Sequence, residues 1–398
     1  MRFAQTNRNR RRFLHDVPTV SYHPSSGRPG CPHAVSPRHR RSGHPDNNRA
    51  DHAVRERPYP FGWASDAYPR VALFLPGRAH DALNRLLRVM LLSTRALMGV
   101  LIAWIKRHGE EDGYLCLDDC LIEKAFAKKL PWAGWTYSFA KKRKVYGLHI
   151  VVLLWCTSDG RWRIPVAFRL WRPKRSCAPH TYRTKLRLAE VMIKEVIGSG
   201  LKARYIVFDT HYTAGWFTKM VRRLGLVWVG TLPPRTSVVW RGQRRSVAEL
   251  ARRVPLKWHK RLGMRATAVV VYAPKYGSLR LVVTRNRHGN HEYIVTNDPG
   301  GDLTTVVLRK MRRWSIETLF RDSKQFAGLE ACQCRVDQAM VRHVGLVLLT
   351  CVVMQMMRRF MGESVGSVKE RWQLEVMRDG ESSPPLLKAC PLHLRATA

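Results

Sequence analysis

Carboxylates are what this chain has least of: 29 Asp and Glu stand against 70 Lys and Arg in 398 residues, a net charge of +41. Such a surplus repels itself unless a polyanion neutralises it, so nucleic acid is the first partner to consider. A basic solvated surface or a membrane-facing one are the plainer alternatives. Long apolar runs are also missing. The longest, Val344 to Met354, is broken only by Gly345 and Thr350 and falls short of the ~20 residues of a membrane-spanning helix. Arginines near the N-terminus have no apolar stretch behind them, which argues against a secretory signal. The nine cysteines are odd in number and scattered, the pattern of reduced thiols in a cytoplasmic protein. Two close pairs, Cys116/Cys120 and Cys332/Cys334, lack the partner spacing of a zinc site and read as small buried apolar groups. There is no internal repeat.

What is present is enough apolar material for a core, 45% of residues, unevenly distributed. Residues 1–65 are rich in Arg, His, Pro, Ser and Asn without an apolar period, a composition that does not offset its own ordering entropy. They read as a disordered basic extension, either an arm that tracks DNA or a dispensable addition. Residues 66–110 read as a helical segment that could contact DNA, with helical spacing over 82–107. YLCLDD (114–119), GLHIVVLLWC (147–156), RIPVAFRLW (163–171), RYIVFD (204–209) and LVWVGTL (226–232) read as buried strands. TKLRLAEVMIKEVIGSG (184–200) and TAGWFTKMVRRLG (213–225) read as helices. Residues 233–300 form a strand-rich insert joined by Gly and Asn turns. Helices then follow at about 308–326 and 336–361, within a segment 301–362, before a C-terminal tail, 363–398.

Because acids are scarce, their positions carry information. Asp119 and Asp209 each end an expected hydrophobic strand, where catalytic groups collect in open α/β sheets. Carboxylates there can share hard divalent cations, and two such ions clamp the attacking and leaving oxygens of a phosphodiester. Taken singly, either Asp could merely cap the turn that follows. In KMRRWSIETLFRDSKQ, Arg313, Glu317 and Lys324 fall on one helical face at 100° per residue. A surface ion pair between Arg313 and Glu317 accounts for part of this. For chemistry on DNA the same face offers a metal-binding carboxylate, with Arg313 and Lys324 to hold the neighbouring phosphates.

R-x3-E-x6-K, here Arg313, Glu317 and Lys324, resembles the signature of cut-and-paste transposases of bacterial insertion sequences. In that branch, the insertion-sequence-four superfamily, Y-x2-R-x3-E-x6-K surrounds the glutamate of an Asp-Asp-Glu triad. LDDCLIEK is similar to the family's D-D-T strand and points to Asp119; YIVFDTHY is similar to its second aspartate segment and points to Asp209. YSFAKKRKVYGLHIVVLL resembles the second strand and the basic turn before it. Two positions depart from the pattern, Lys310 for the tyrosine and Cys120 for the threonine. Neither removes a metal ligand, and Lys310 adds a phosphate contact.

The resemblance implies an RNase H-like α/β core with a mixed sheet, over about 111–232 and 301–335, interrupted by the β-rich insert and flanked by helices. It implies that Asp119, Asp209 and Glu317 bind two Mg²⁺ ions, with Mn²⁺ as an alternative, and cleave and transfer DNA strands at the ends of a transposable element. DNA contacts are then expected from Arg313, Lys324, Lys310, Lys141, Lys142 and Arg143. The implied partners are terminal inverted repeats, target DNA and a second copy of the chain, in a cytoplasmic setting. The rival is a non-catalytic DNA-binding protein, a decayed or domesticated transposase. Among lesser candidates, Asp118 reads as a supporting or turn residue on the opposite face from Asp119, and His211 as a turn histidine. Trp240 and Trp258 read as core, with stacking on a flipped base as the alternative.

Overall fold

The computed structural model describes residues 82–379, except 90–92, 109–112, 126–129, 131, 139–140, 179, 287 and 333. All of these belong to one unit, residues 63–398. The basic extension expected at 1–65 lies outside the described residues, as do 66–81 and the end of the tail, 380–398.

Two helices, α1 (Ala82–Val89) and α2 (Thr94–His108), lead into β1 (Tyr114–Glu123), β2 (Gly134–Ser138), β3 (Arg143–Cys156) and β4 (Arg163–Trp171). Then come α3 (Lys185–Gly198), β5 (Tyr205–Phe208), α4 (Gly215–Arg223) and β6 (Val227–Thr231). β3 runs antiparallel to β1 on one side and to both β2 and β4 on the other, while β1, β5 and β6 lie parallel. Antiparallel strands followed by parallel ones, with helices connecting the latter, make a mixed α/β arrangement consistent with an RNase H-like fold. The reason these segments form strands is visible in β3: Ile150 to Leu154 are entirely buried, as expected for a central strand with both faces covered. Gly147 lets β3 approach β1 closely, since a Cβ there would lie 2.4 Å from the Ile122 carbonyl oxygen. Helix α3 starts where Thr184 accepts a hydrogen bond from the Arg187 amide at 3.2 Å.

Strands of the insert do not form a separate layer. β7 (Ser237–Trp240), β8 (Gln243–Ser246), β9 (Lys257–His259), β10 (Met264–Ala273), β11 (Gly277–Arg285) and β12 (His291–Thr296), with the short helix α5 (Val247–Arg253), follow β6. β12 returns to pair antiparallel with β6, so the sheet runs on as β2-β3-β1-β5-β6-β12-β11-β10-β7-β8.

Three sequence expectations change here. β1 continues four residues past Asp119, so the two aspartates sit within the strand and not at its end. The helix expected over about 308–326 is two helices, α6 (Leu303–Met311) and α7 (Trp314–Gln325), broken at Arg312 and Arg313. The apolar run at 344–354 belongs to the 25-residue helix α8 (Asp337–Met361), which by length and composition could cross a membrane. Its Met340, Val344, Val347, Leu348, Cys351 and Val352 are buried, and it packs on α1, α2, β4, α7 and α9 (Val365–Asp379). Core packing therefore accounts for its apolar length.

Candidate active site

Strand alternation sends the side chains of β1 to opposite faces. Tyr114, Cys116 and Asp118 share the face that meets the α6–α7 junction. The Tyr114 hydroxyl lies 3.0 Å from Ser315 Oγ, the Cys116 thiol donates to the Arg312 carbonyl at 3.6 Å, and Arg313 Nη1 donates to Asp118 Oδ2 at 2.7 Å. The second arm of the same guanidinium donates to Glu317 Oε1. The helix break is what makes this reach available. Arg313 stands ahead of α7, its amide bonded to the Lys310 carbonyl, while the Ser315 and Ile316 amides bond to Arg312 and Arg313, all at 3.1 Å. Three-residue closures of this kind tighten the chain between two helices.

Asp209 arrives from the neighbouring parallel strand. Leu117 pairs with Phe208, so the residues that follow, Asp118 and Asp209, are next to each other at a strand separation of about 4.8 Å. Asp209 Oδ1 accepts from the His211 and Tyr212 amides at 2.9 and 3.3 Å, closing the turn after β5. Burial, then the Asp209 charge, push the Asp118 carboxyl up to about 7 against the opposing pull of Arg313.

Asp119 points the other way, and there it is fully engaged. Its Oδ2 accepts from Lys185 Nζ at 2.6 Å and lies 3.1 Å from His149 Nδ1; its Oδ1 accepts from the Tyr212 hydroxyl at 3.2 Å. Burial alone would raise this carboxyl, but His149 and Lys185 outweigh it and hold the group well below the usual carboxylate range. His149 continues the chain of contacts to Thr136 Oγ1 at 3.3 Å. The expectation that Asp119 turns towards Glu317 therefore gives way to a different pairing: Asp118 meets the Arg313–Glu317 pair, and Asp119 meets α3. No feature of the sequence distinguishes the two neighbours, because the choice depends on which face the distant α7 covers.

Tyr212 links both sides. It is fully buried, its phenol donates to Asp119, and its amide donates to Asp209. Burial, then the charges of Asp119, Asp118 and Asp209, push that phenol well above its ordinary value, so it stays a donor.

The expected DNA-contacting cations are dispersed. Lys310 has only 11% of its side chain exposed and lies 3.6 Å from Glu292; burial pulls its ammonium below its ordinary value. Lys324 donates to the Leu121 carbonyl at 2.7 Å and pairs with Glu330 at 3.0 Å, beside the strand that carries Asp118. Lys141 pairs with Glu123, Arg143 lies 3.9 Å from the same carboxylate, and Lys142 is exposed at the turn with φ of 50°. His211 is exposed beside Tyr212. Trp258 is 59% exposed and so is not a core residue, while Trp240 is half-buried with Arg241 over its ring.

Among the described residues no three His, Cys, Asp or Glu side chains are gathered as a ready metal cage; Arg313 stands between Asp118 and Glu317. The donor set still suits a hard divalent ion, because Asp118, Asp209 and Glu317 offer only oxygens. Burial first, and then the neighbouring Asp209 charge, raise the Asp118 carboxyl, and a bound cation would offset both by favouring its ionised form.

A family model for DDE superfamily endonucleases matches residues 70–278, and the chain belongs to that family. Membership implies a DNA substrate and divalent-metal chemistry. The matched stretch holds Asp118, Asp119 and Asp209 and ends before Glu317. No curated protein matches the chain.

Proposed function

We propose that this DDE superfamily endonuclease cleaves and transfers DNA strands at the ends of a transposable element, by cut-and-paste transposition of the insertion-sequence-four type. Asp118, Asp209 and Glu317 are the carboxylates of its site. The observation that carries this reading is the single guanidinium of Arg313 bonded to both Asp118 and Glu317, with Asp209 directly after the adjoining strand. Asp118 thereby takes the place first expected of Asp119.

Bound Mg²⁺ or Mn²⁺ would lower the pKa of an attacking water and stabilise charge on the attacking and leaving oxygens. The chain's own residues do the rest. Asp118 lies within β1, Asp209 directly follows the paired strand β5, and Glu317 comes from a helix packed across them. Arg313 already holds its donor fork in place and offers it to a phosphate when the carboxylates are otherwise neutralised. Lys310 adds positive charge beside Asp209, and Lys324 adds it farther along β1. Asp119 and Tyr212 hold the turn that presents Asp209. Terminal inverted repeats, target DNA and a second copy of the chain are the partners of this reading, and the cytoplasm is its setting.

The test is nicking of a labelled duplex carrying the element's terminal repeat, with Mg²⁺ or with chelator. Metal-dependent nicking that disappears in Glu317→Gln, while metal-free DNA binding persists, is the expected result. A wild-type protein that binds the duplex and never cuts it would instead identify a non-catalytic DNA-binding relic.

A further inference from the structure

β2 lies at the margin of the sheet and alternates between half-buried and exposed residues. Its two exposed side chains are both aromatic: Trp135 at 64% and Tyr137 at 51%. Directly opposite them on β3 stand Tyr146 and Lys144. Tyr146 is buried and meets the Trp135 ring edge-on, with centroids 5.7 Å apart at 69°. An edge contact of this kind fixes a ring while leaving one of its faces open. Residues two apart on a strand are about 6.6 Å apart, twice the ~3.4 Å step between stacked bases. The spacing thus leaves room for one flat ring between Trp135 and Tyr137.

Pairing register puts this pair on the catalytic side of the sheet. Asp118 is opposite Val152, Cys120 opposite Ile150 and Ile122 opposite Leu148. Continuing down β3 in steps of two reaches Tyr146 and Lys144, hence Trp135 and Tyr137 across the β2–β3 pairing. From Asp118 to the level of Trp135 is about six residues of strand, or about 20 Å. Cations mark this route: Arg313 at Asp118, Lys324 at the Leu121 carbonyl, then exposed Lys144 beside Tyr137. The turn beyond adds Lys141, Lys142 and Arg143. Exposed rings set among cations are the combination that binds unpaired nucleic acid, where the cations follow the backbone and the rings stack the bases. An exposed apolar pair meant for a protein partner would not need this charge, and duplex DNA keeps its base faces covered.

We propose that Trp135 and Tyr137 form a stacking site for unpaired bases of the DNA strand that leaves the Asp118–Glu317 site. This site rests on the reading of that centre as one acting on DNA. The experiment uses the full chain in chelator, so that nothing is cut. Its probes are a blunt duplex and the same duplex with a short single-stranded tail carrying 2-aminopurine, whose fluorescence falls on stacking.

Wild-type protein should bind the tailed duplex more tightly and quench its fluorescence. Trp135→Ala and Tyr137→Ala should each lose at least about fivefold of the affinity for the tailed duplex, together with the quenching, and bind the blunt duplex as before. Trp135→Phe should keep most of both. Unchanged quenching in the two alanine variants overturns the proposal. So does an equal loss on both DNAs, which would mean that the rings serve duplex contact or the packing of β2 on β3. Because binding is read without metal, a protein that cannot nick still answers the question, and failure of the stacking site leaves metal-dependent nicking untouched.

Discussion

On one face of β1, Asp118 shares a buried space with Asp209 and has one flanking cation, Arg313, which it divides with Glu317. On the other face, Asp119 accepts hydrogen bonds from Lys185 and Tyr212 and has His149 against it. The two residues are chemically identical and adjacent, yet burial and a like charge raise one carboxyl while two basic side chains depress the other. A structural carboxylate is surrounded until its charge is balanced. One that receives a metal is left with charge to spare. The Asp118 side has that surplus, and the Asp119 side does not.

The largest test of this contrast is catalytic. Asp118→Asn should reduce metal-dependent nicking about a thousandfold or more, a loss of roughly 4 kcal/mol of transition-state stabilisation. Asp119→Asn, which touches the supporting network only, should cost about ten- to a hundredfold. Equal losses in the two variants, with both proteins folded, would erase the distinction.

Stability should move in opposite directions at the two positions. Asp118 has a folded value raised to about 7 from an ordinary 3.8. Its proton-linked stability is therefore present below about pH 4 and lost as pH rises through 7. In metal-free buffer at pH 8, Asp118→Asn should raise the melting temperature, with a ceiling of about 4 kcal/mol at 1.36 kcal/mol per unit. Asp119 is depressed, so its contribution is present above about pH 4 and fades only in stronger acid. Asp119→Asn leaves Lys185 without its carboxylate and should cost about 3 kcal/mol at the same pH. Thermal melts from pH 5 to 8 would show whether the two curves diverge as described.

A smaller effect concerns the link between the faces. Tyr212→Phe removes one buried hydrogen bond to a charged group, worth about 1–2 kcal/mol. If that bond steadies the turn at Asp209, the variant should also need several times more Mg²⁺ for half-maximal nicking, an effect of the size expected for supporting ligands. An unchanged metal requirement would leave Tyr212 as packing alone. The smallest change is expected at the far end of the strand pair. Lys141→Ala breaks an exposed pair with Glu123 and should alter stability by less than about 0.5 kcal/mol. The slope of log affinity against log salt on duplex DNA should fall by about 0.9 if Lys141 contacts a phosphate, and stay the same if it does not.

Much of this architecture could be read from the sequence. Apolar, β-branched runs marked β3, β4, β5 and β6, and an amphipathic pattern ended by glycine marked α3. Other features escaped for definable reasons. No Gly or Pro lies between Val307 and Ile316 to signal the break at Arg312–Arg313; only the apolar period slips there, Ile316 falling about 180° from Val307 at 100° per residue. Alternation shows that Asp118 and Asp119 face opposite ways but not which way, because a one-residue shift exchanges the faces. β2 is five residues of mixed character beside a basic turn, and its place as a strand comes from pairing with β3. The insert's strands were legible one by one, while their continuity with the core depends on the β6–β12 pairing across a long separation in sequence.

A sheet that absorbs its own insert also has rims, and rims attract other strands. β4 has Pro165 as its third residue, a position with no amide to donate to a passing strand. β8 is four residues long and carries Arg244 and Arg245, and β2 is nearly as short, with a cationic turn beyond it. Short, charged borders keep sheets from zippering edge to edge. For this chain, self-association and DNA binding consequently respond to one variable: ionic strength high enough to release DNA also screens the charges guarding the rims. Concentrated stocks would then aggregate most readily in high salt without nucleic acid, and a polyanion lying over a rim would take the place of the lost repulsion.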